Sequence, residues 1–314
     1  NQFGLNKGML EAGDVAGACV FLLSSCLKTE AQSEFEPKLV KGVSLVAPSN
    51  PFVIEDLKSI EAVNANYVAI LPYGFCPKDS PKVIYNQTFQ WWGETTKGVI
   101  ESIDMAKELG FNTMIKPQIW LRHGKYTGLL TFETDTEWKR WEKDYTNFIM
   151  DFVKIADSLK VEMFCIGTEL RESVKQRPEF WNGLIAKIRQ AYNGKLTYAA
   201  NWDDYKYVPF WKELDFIGID AYFPITNKNN PNYKTVLQSW NELSTELAAF
   251  TNKHERQILF TEFGYTSTSN ALSEPWTWSE KEKLSLSVQK MGYDAFFESA
   301  WQENWLAGIF IWKW

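Results

Sequence analysis

Short apolar runs rich in β-branched and aromatic residues alternate along this chain with longer stretches whose apolar residues recur every three or four positions. Eight runs read as strands: 39–46, 66–72, 112–119, 161–168, 195–201, 215–221, 257–263 and 307–313. Five stretches between them read as amphipathic helices: 94–109, 136–158, 178–191, 236–252 and 279–300. In the first, Val99, Ile103, Ala106 and Leu109 share one face and Gly110 supplies a C-terminal stop. The connections after the first and fifth runs carry no clear helical period. From Leu39 onward no linker, repeat or charge block interrupts the alternation. This pattern predicts an α/β chain with a single (β/α)8 TIM barrel over 39–314, lacking its final helix, since no helical stretch follows the eighth run. A doubly wound open sheet is the alternative. Such a sheet usually has a Gly-rich phosphate turn after its first strand, where this chain has Ala47-Pro48-Ser49-Asn50.

Residues 1–38 follow a different pattern. The apolar run Val15 to Leu23 is too short to span a bilayer. Ser24-Ser25-Cys26 and a polar stretch come next, an arrangement similar to a bacterial lipoprotein signal with Cys26 as the lipidated residue. The flank argues the other way, because Lys7 is the lone upstream cation while Glu11 and Asp14 are acidic. The expectation is a leader acting as a signal or tether, and a secreted or cell-envelope protein whose only membrane link is a lipid on Cys26.

Composition narrows the chemistry. A net charge of −6 argues against nucleic acid or an anionic membrane as partner. Two His and the cysteines Cys19, Cys26, Cys76 and Cys165, at spacings that match no zinc or redox motif, predict no metal and no cofactor. Cys165 reads as a small buried hydrophobe. The unusual figure is 15 Trp within an aromatic content of 16%. So many indoles in an acidic chain suggest flat binding surfaces for an uncharged ligand, and a monomer is expected.

Working groups of such barrels lie at the C-terminal ends of the strands. Those ends hold Trp120, Glu169, Asn201-Trp202, Asp220-Ala221-Tyr222, Glu262, Tyr265 and Trp312. They offer no Ser–His or Cys–His pair. Glu169 and Glu262 each close an apolar run, a costly place for a charge without a purpose. A lone Glu there could equally be a structural ion-pair partner. Two, on the fourth and seventh runs, point to function. A pair of carboxyls across a sugar ring is what glycoside hydrolysis needs, one to protonate the leaving oxygen and one to attack the anomeric carbon. The two tasks demand opposite protonation states at one pH.

The ordered set Lys41-Gly42-Val43-Ser44, Ile70 to Gly74, Gln90 to Glu94, Lys116 to Trp120, Phe164 to Glu169, Tyr198 to Asp203, Gly218 to Pro224, Phe260 to Tyr265 and Phe310 to Trp314 resembles clan A of the glycoside hydrolases, and within it family 113, known for β-1,4-mannanases. The resemblance implies a retaining endo-β-1,4-mannanase with Glu169 as acid/base and Glu262 as nucleophile. It implies Trp312 as the platform under the sugar that is cleaved, and Tyr222 as a hydrogen-bond donor that keeps Glu262 ionised. Where many clan members have Asn before the acid/base, this chain has Thr168. Further substrate-binding candidates are Trp92, Lys116, Trp120, Asn201, Trp202, Asp220, Tyr265 and Trp276. Lys116 reads equally well as a buried ion-pair partner. His123 is a further polar candidate on a loop. The rival readings are a hydrolase of another β-glycan such as glucan or xylan, a non-catalytic carbohydrate-binding barrel, and a metal-dependent enzyme using Asp220, Glu169 and Glu262.

Overall fold

A computed structural model describes residues 39–77, 80–121, 125–227, 231–277 and 283–314. The leader with Cys26, and His123, lie outside the described residues. Eight parallel strands close a barrel in the order β1 (Val40–Leu45), β2 (Tyr67–Ile70), β4 (Asn112–Ile115), β6 (Met163–Thr168), β7 (Lys195–Asn201), β8 (Ile217–Asp220), β9 (Ile258–Phe263) and β10 (Leu306–Ile311), with β10 pairing back onto β1. The barrel is the predicted fold, and no helix follows β10 among the described residues.

The predicted helices appear as α2 (Thr96–Glu108), α3 (Asp135–Ser158), α5 (Pro178–Ala191), α6 (Tyr233–His254) and α7 (Leu286–Glu298). Two more, α1 (Ile54–Glu61) and α4 (Arg171–Gln176), are too short to give a visible period in sequence. The Thr95 hydroxyl caps α2 by accepting from the Gly98 N–H. Thr134 and Glu137 cap α3 reciprocally. The connection after β7 holds only two short 3-10 turns, in keeping with its weak pattern.

The third strand run departs from expectation. It breaks at Lys116-Pro117, because Pro117 has no N–H to give to a ladder. The chain resumes as β5 (Gln118–Leu121), which leaves the barrel wall and pairs in parallel with β3 (Tyr73–Cys76). This two-stranded ribbon extends the mouth of the barrel.

Inside, Val40, Ala69, Met114, Cys165, Leu259 and Phe310 form the packed floor. The Phe310 ring lies where Gly42 has no side chain, and a Cβ there would come within 2.2 Å of it. Outside, helices cover the strands through an aromatic core in which Trp141, Trp181, Trp211 and Trp240 are fully buried. The indole N–H groups of Trp181 and Trp211 donate to Ser173 Oγ (3.2 Å) and the Tyr205 carbonyl (2.8 Å). Much of the tryptophan excess is therefore structural, not a binding surface.

Candidate active site

Strand parity decides what reaches the mouth, since alternate residues face the axis. On β4, Met114 faces inward, and so does Lys116 two positions on. On β8, Ile217 and Ile219 pack outward while Asp220 is fully buried within. The two strands bearing the candidate carboxylates break parity. On β9, Phe260 and Phe263 both pack outward, with Thr261 and Glu262 between them. The register shifts here against both neighbours: Ile219 pairs with Phe260 and Asp220 with Glu262, while Ile309 pairs with Phe260 and Ile311 with Phe263. This extra residue is a β-bulge, a device that re-aims side chains. It lets Thr261 bond Asp220 below while Glu262 reaches the cleft. β6 has a matching shift, its Cys165 pairing with Thr197 and its Thr168 with Ala199.

Glu262 is held by three donors. The Lys116 ammonium and Gln118 Nε2 (3.2 Å) donate to Oε1, and the Tyr222 hydroxyl donates to Oε2 at 2.8 Å. Lys116 also pairs with Asp220 at 3.3 Å, and Thr261 Oγ1 donates to Asp220 Oδ1 at 2.8 Å. Burial pulls the Lys116 ammonium down, but the carboxylates of Asp220 and Glu262 outweigh it and hold its pKa above the usual lysine value. Burial, then the charge of Glu262, pushes the Asp220 carboxyl up to about 7.

Glu169 stands just past β6 in the left-handed region, at φ 51°. A non-glycine residue there costs of order 1–3 kcal/mol and needs support around it. Its N–H donates to the Ala199 carbonyl at 2.8 Å, and the next N–H, of Leu170, donates to the Tyr198 hydroxyl at 2.8 Å. Burial holds the Glu169 carboxyl well above the ordinary glutamate value, and the charges of Asp220 and Glu262 push it further. One carboxyl of the pair is thus biased toward the acid and the other is wrapped in donors. The Thr168 hydroxyl donates to the Pro117 carbonyl at 3.2 Å, which leaves it only acceptor capacity toward a ligand.

The indole of Trp312 flanks this group, its ring centroid 5.8 Å from Lys116 Nζ. At the rim Trp202 and Trp276 stack on each other, centroids 5.3 Å apart at 11°. Trp120 is partly exposed on β5. Other candidates are placed elsewhere. Tyr265 is buried outside the barrel against Phe263 and Tyr293, so it braces the β9 end and does not line the cleft. Asp220 and Lys116 are fully buried and cannot touch substrate; they form an ion group beneath it. Asn201 spends its amide on Asp203 (2.9 Å). Trp92 packs edge-on against Phe52 in the loop after β1. Sequence reasoning missed Gln118, whose role follows only from the strand break before it. It also missed the Arg171 contacts to Asp203 (2.8 Å) and Asp204 (2.5 Å) beside Tyr126. No group of three or more His, Cys, Asp or Glu suited to a metal occurs among the described residues.

Solved structures similar to this one include β-mannanases and β-glucuronidases. The structure superposes with a TM-score of 0.79 on a GH113 β-mannanase from Alicyclobacillus acidocaldarius solved in complex with ManMIm, at 23% identity over 90% of this chain and 89% of that one. A GH113 β-1,4-mannanase complex gives 0.76 at 25% identity over 88% and 89%. A β-glucuronidase from Ruminococcus gnavus gives 0.61 at 15% identity, over 88% of this chain but 44% of its own. Comparison with curated protein sequences gives no match. The sequence profile of Glycoside Hydrolase Family 113 matches residues 49–314, and the chain is accordingly a glycoside hydrolase belonging to that family.

Proposed function

We propose that this hydrolase cleaves β-1,4-linked mannan within the chain and with retention of anomeric configuration. The observation that carries the reading is the different surroundings of the two carboxyls: burial biases Glu169 toward its acid form, while Glu262 accepts from Lys116, Gln118 and Tyr222. In the first step Glu169 gives its proton to the glycosidic oxygen as a Glu262 oxygen bonds the anomeric carbon, and the bond to the leaving sugar breaks. In the second, water attacks the same carbon, its proton passes to Glu169, and the ester to Glu262 breaks. The preference for mannan draws support from family membership and from the β-1,4-mannanase neighbours. The aromatic rim residues Trp202, Trp276 and Trp120 support an extended ligand. We also propose that the protein works outside the cytoplasm, tethered through Cys26; an unmodified Cys26 in an intact native N-terminus would refute this.

The test is a panel of mannan, glucan and xylan oligosaccharides, with product lengths and anomeric configuration followed by NMR. Initial β products from internal cleavage of mannan support the proposal, and initial α products sink the retaining mechanism. In Glu262→Ala, turnover falls by several orders of magnitude, and azide restores cleavage of an activated aryl glycoside as an azide of inverted configuration.

A further inference from the structure

The ribbon β3–β5 presents two faces of different character. Gly74, Cys76 and Ile119 face the core; a Cβ on Gly74 would meet Val83, Ile119 and Phe148. The opposite face carries Tyr73 paired in register with Gln118, and then Phe75 paired with Trp120. Gln118 lies on the nucleophile, with its Nε2 3.2 Å from Glu262 Oε1. Alternate positions on a strand are about 6.6 Å apart, so the Phe75–Trp120 pair lies one step of that size further from the catalytic centre. Phe89 continues the line. Its ring meets Phe75 edge-on at 5.8 Å, it is 62% exposed, and the neighbouring Gln90 fixes its loop through a bond to the Tyr73 carbonyl (3.0 Å). Trp120 is 38% exposed. Large aromatics left in water on a well-anchored ribbon form a surface that stabilises nothing in the free protein.

We propose that Phe75, Trp120 and Phe89 form a distal subsite that stacks on a sugar unit of the same chain whose scissile bond lies at Glu169 and Glu262. The occupant follows from continuity, because the aromatic line starts from the Tyr73–Gln118 pair, whose Gln118 touches Glu262, and runs outward on one face of one ribbon. Its chemistry suits a pyranose, whose C–H faces pack on aromatic rings at little desolvation cost. Trp202 and Trp276 belong to the loops after β7 and β9, on another part of the rim. A chain held by both crosses the mouth and leaves it at either end, the geometry that internal cleavage requires. The inference rests on the proposed β-glycanase reading.

The experiment compares kcat/KM for β-1,4-linked oligosaccharides of three and six units in wild type, Phe89→Ala, Trp120→Ala and the double variant, with Trp120→Phe as conservative control. The readout is the ratio of the long to the short substrate within each protein, so a general loss of fold or activity cancels. We expect the ratio to fall about tenfold in the double variant, to be largely restored by Trp120→Phe relative to Trp120→Ala, and the bonds cleaved in the long substrate to shift. A ratio that stays at the wild-type value overturns the subsite. Equal losses on both substrates also overturn it, and show that the ribbon only supports Gln118. The ratio is read on whichever β-linked series the wild type cleaves, so turnover of gluco- but not manno-oligosaccharides refutes the mannan assignment without touching the subsite.

Discussion

Asp220 and Glu262 are register partners on β8 and β9 that share the ammonium of Lys116, yet one is sealed in the barrel and the other opens to the cleft. The ion group beneath the reaction centre therefore has a wet end and a dry end. Removing one partner of a buried ion pair typically costs about 3–5 kcal/mol, because the charge left behind is unpaired. Lys116→Met should lower stability by that order. In the fraction that folds, kcat/KM should fall, because Glu262 loses the ammonium that donates to its Oε1. Unchanged kinetics in a stable variant would assign Lys116 no part in holding Glu262, the proposed nucleophile.

Asp220→Asn tests the dry end. The Asp220 carboxyl is pushed up to about 7 in the fold, against an ordinary value near 4. The folded state thus binds that proton more tightly than the unfolded one, and wild type loses this share of stability as pH rises from about 4 through about 7. The asparagine can still accept from Thr261 and has no such proton. Thermal denaturation across that window should show a flatter pH dependence in the variant.

The raised pKa of Glu169 has the same sign. Its ionisation in the fold is a cost present above the ordinary glutamate range and absent below it. Glu169→Gln should melt higher than wild type at pH 8, with the gap closing toward pH 4. Its activity should fall far more on substrates with poor leaving groups than on activated aryl glycosides.

Tyr222→Phe removes one donor to Glu262, the proposed nucleophile, without emptying its pocket. A hydrogen bond to a charged group contributes about 1.5–3 kcal/mol, so kcat/KM should drop roughly tenfold to a hundredfold with little change in Tm. A loss of Tm with normal kinetics would make the tyrosine a packing residue only.

Trp312→Ala should lower kcat as well as affinity, by about 1–3 kcal/mol in kcat/KM, if the indole supports the distorted sugar. The competing outcome is a fall in melting temperature with normal kinetics in the folded enzyme, which would mark a core residue.

Fold and site were legible to different depths. Parallel strands buried on both faces read as continuous apolar runs, and all eight barrel strands could be found that way. The helices with capping signals, such as Thr134 with Glu137, were visible to within a few residues. The positions of Glu169 and Glu262 at strand ends were also visible. What they touch was not, because contacts across the barrel depend on register, and a bulge adds a residue without any compositional mark. Asp220 looked like a cleft residue, and Lys116 read equally as a cleft residue or as the buried ion-pair partner it is, because a polar side chain near a strand end carries no sign of its depth. Tyr265 looked the same, although it lies one residue past Gly264 and on the other face of the wall. The ribbon was hidden because β5 begins inside the run 112–119, with Pro117 as its signal, and β3 starts just past the run 66–72.

Each acidic residue of the pair reaches the mouth through one surplus residue in its own strand, between Cys165 and Thr168 on β6 and between Phe260 and Phe263 on β9. Competence is thus a matter of counting as much as of chemistry. Losing a single residue from the β9 segment would leave one position between the outward Phe260 and Phe263 where there are now two, so the Thr261 bond to Asp220 and the place of Glu262 in the cleft would no longer both be kept. The spacing of these two segments is therefore as much a part of the site as the residues they carry.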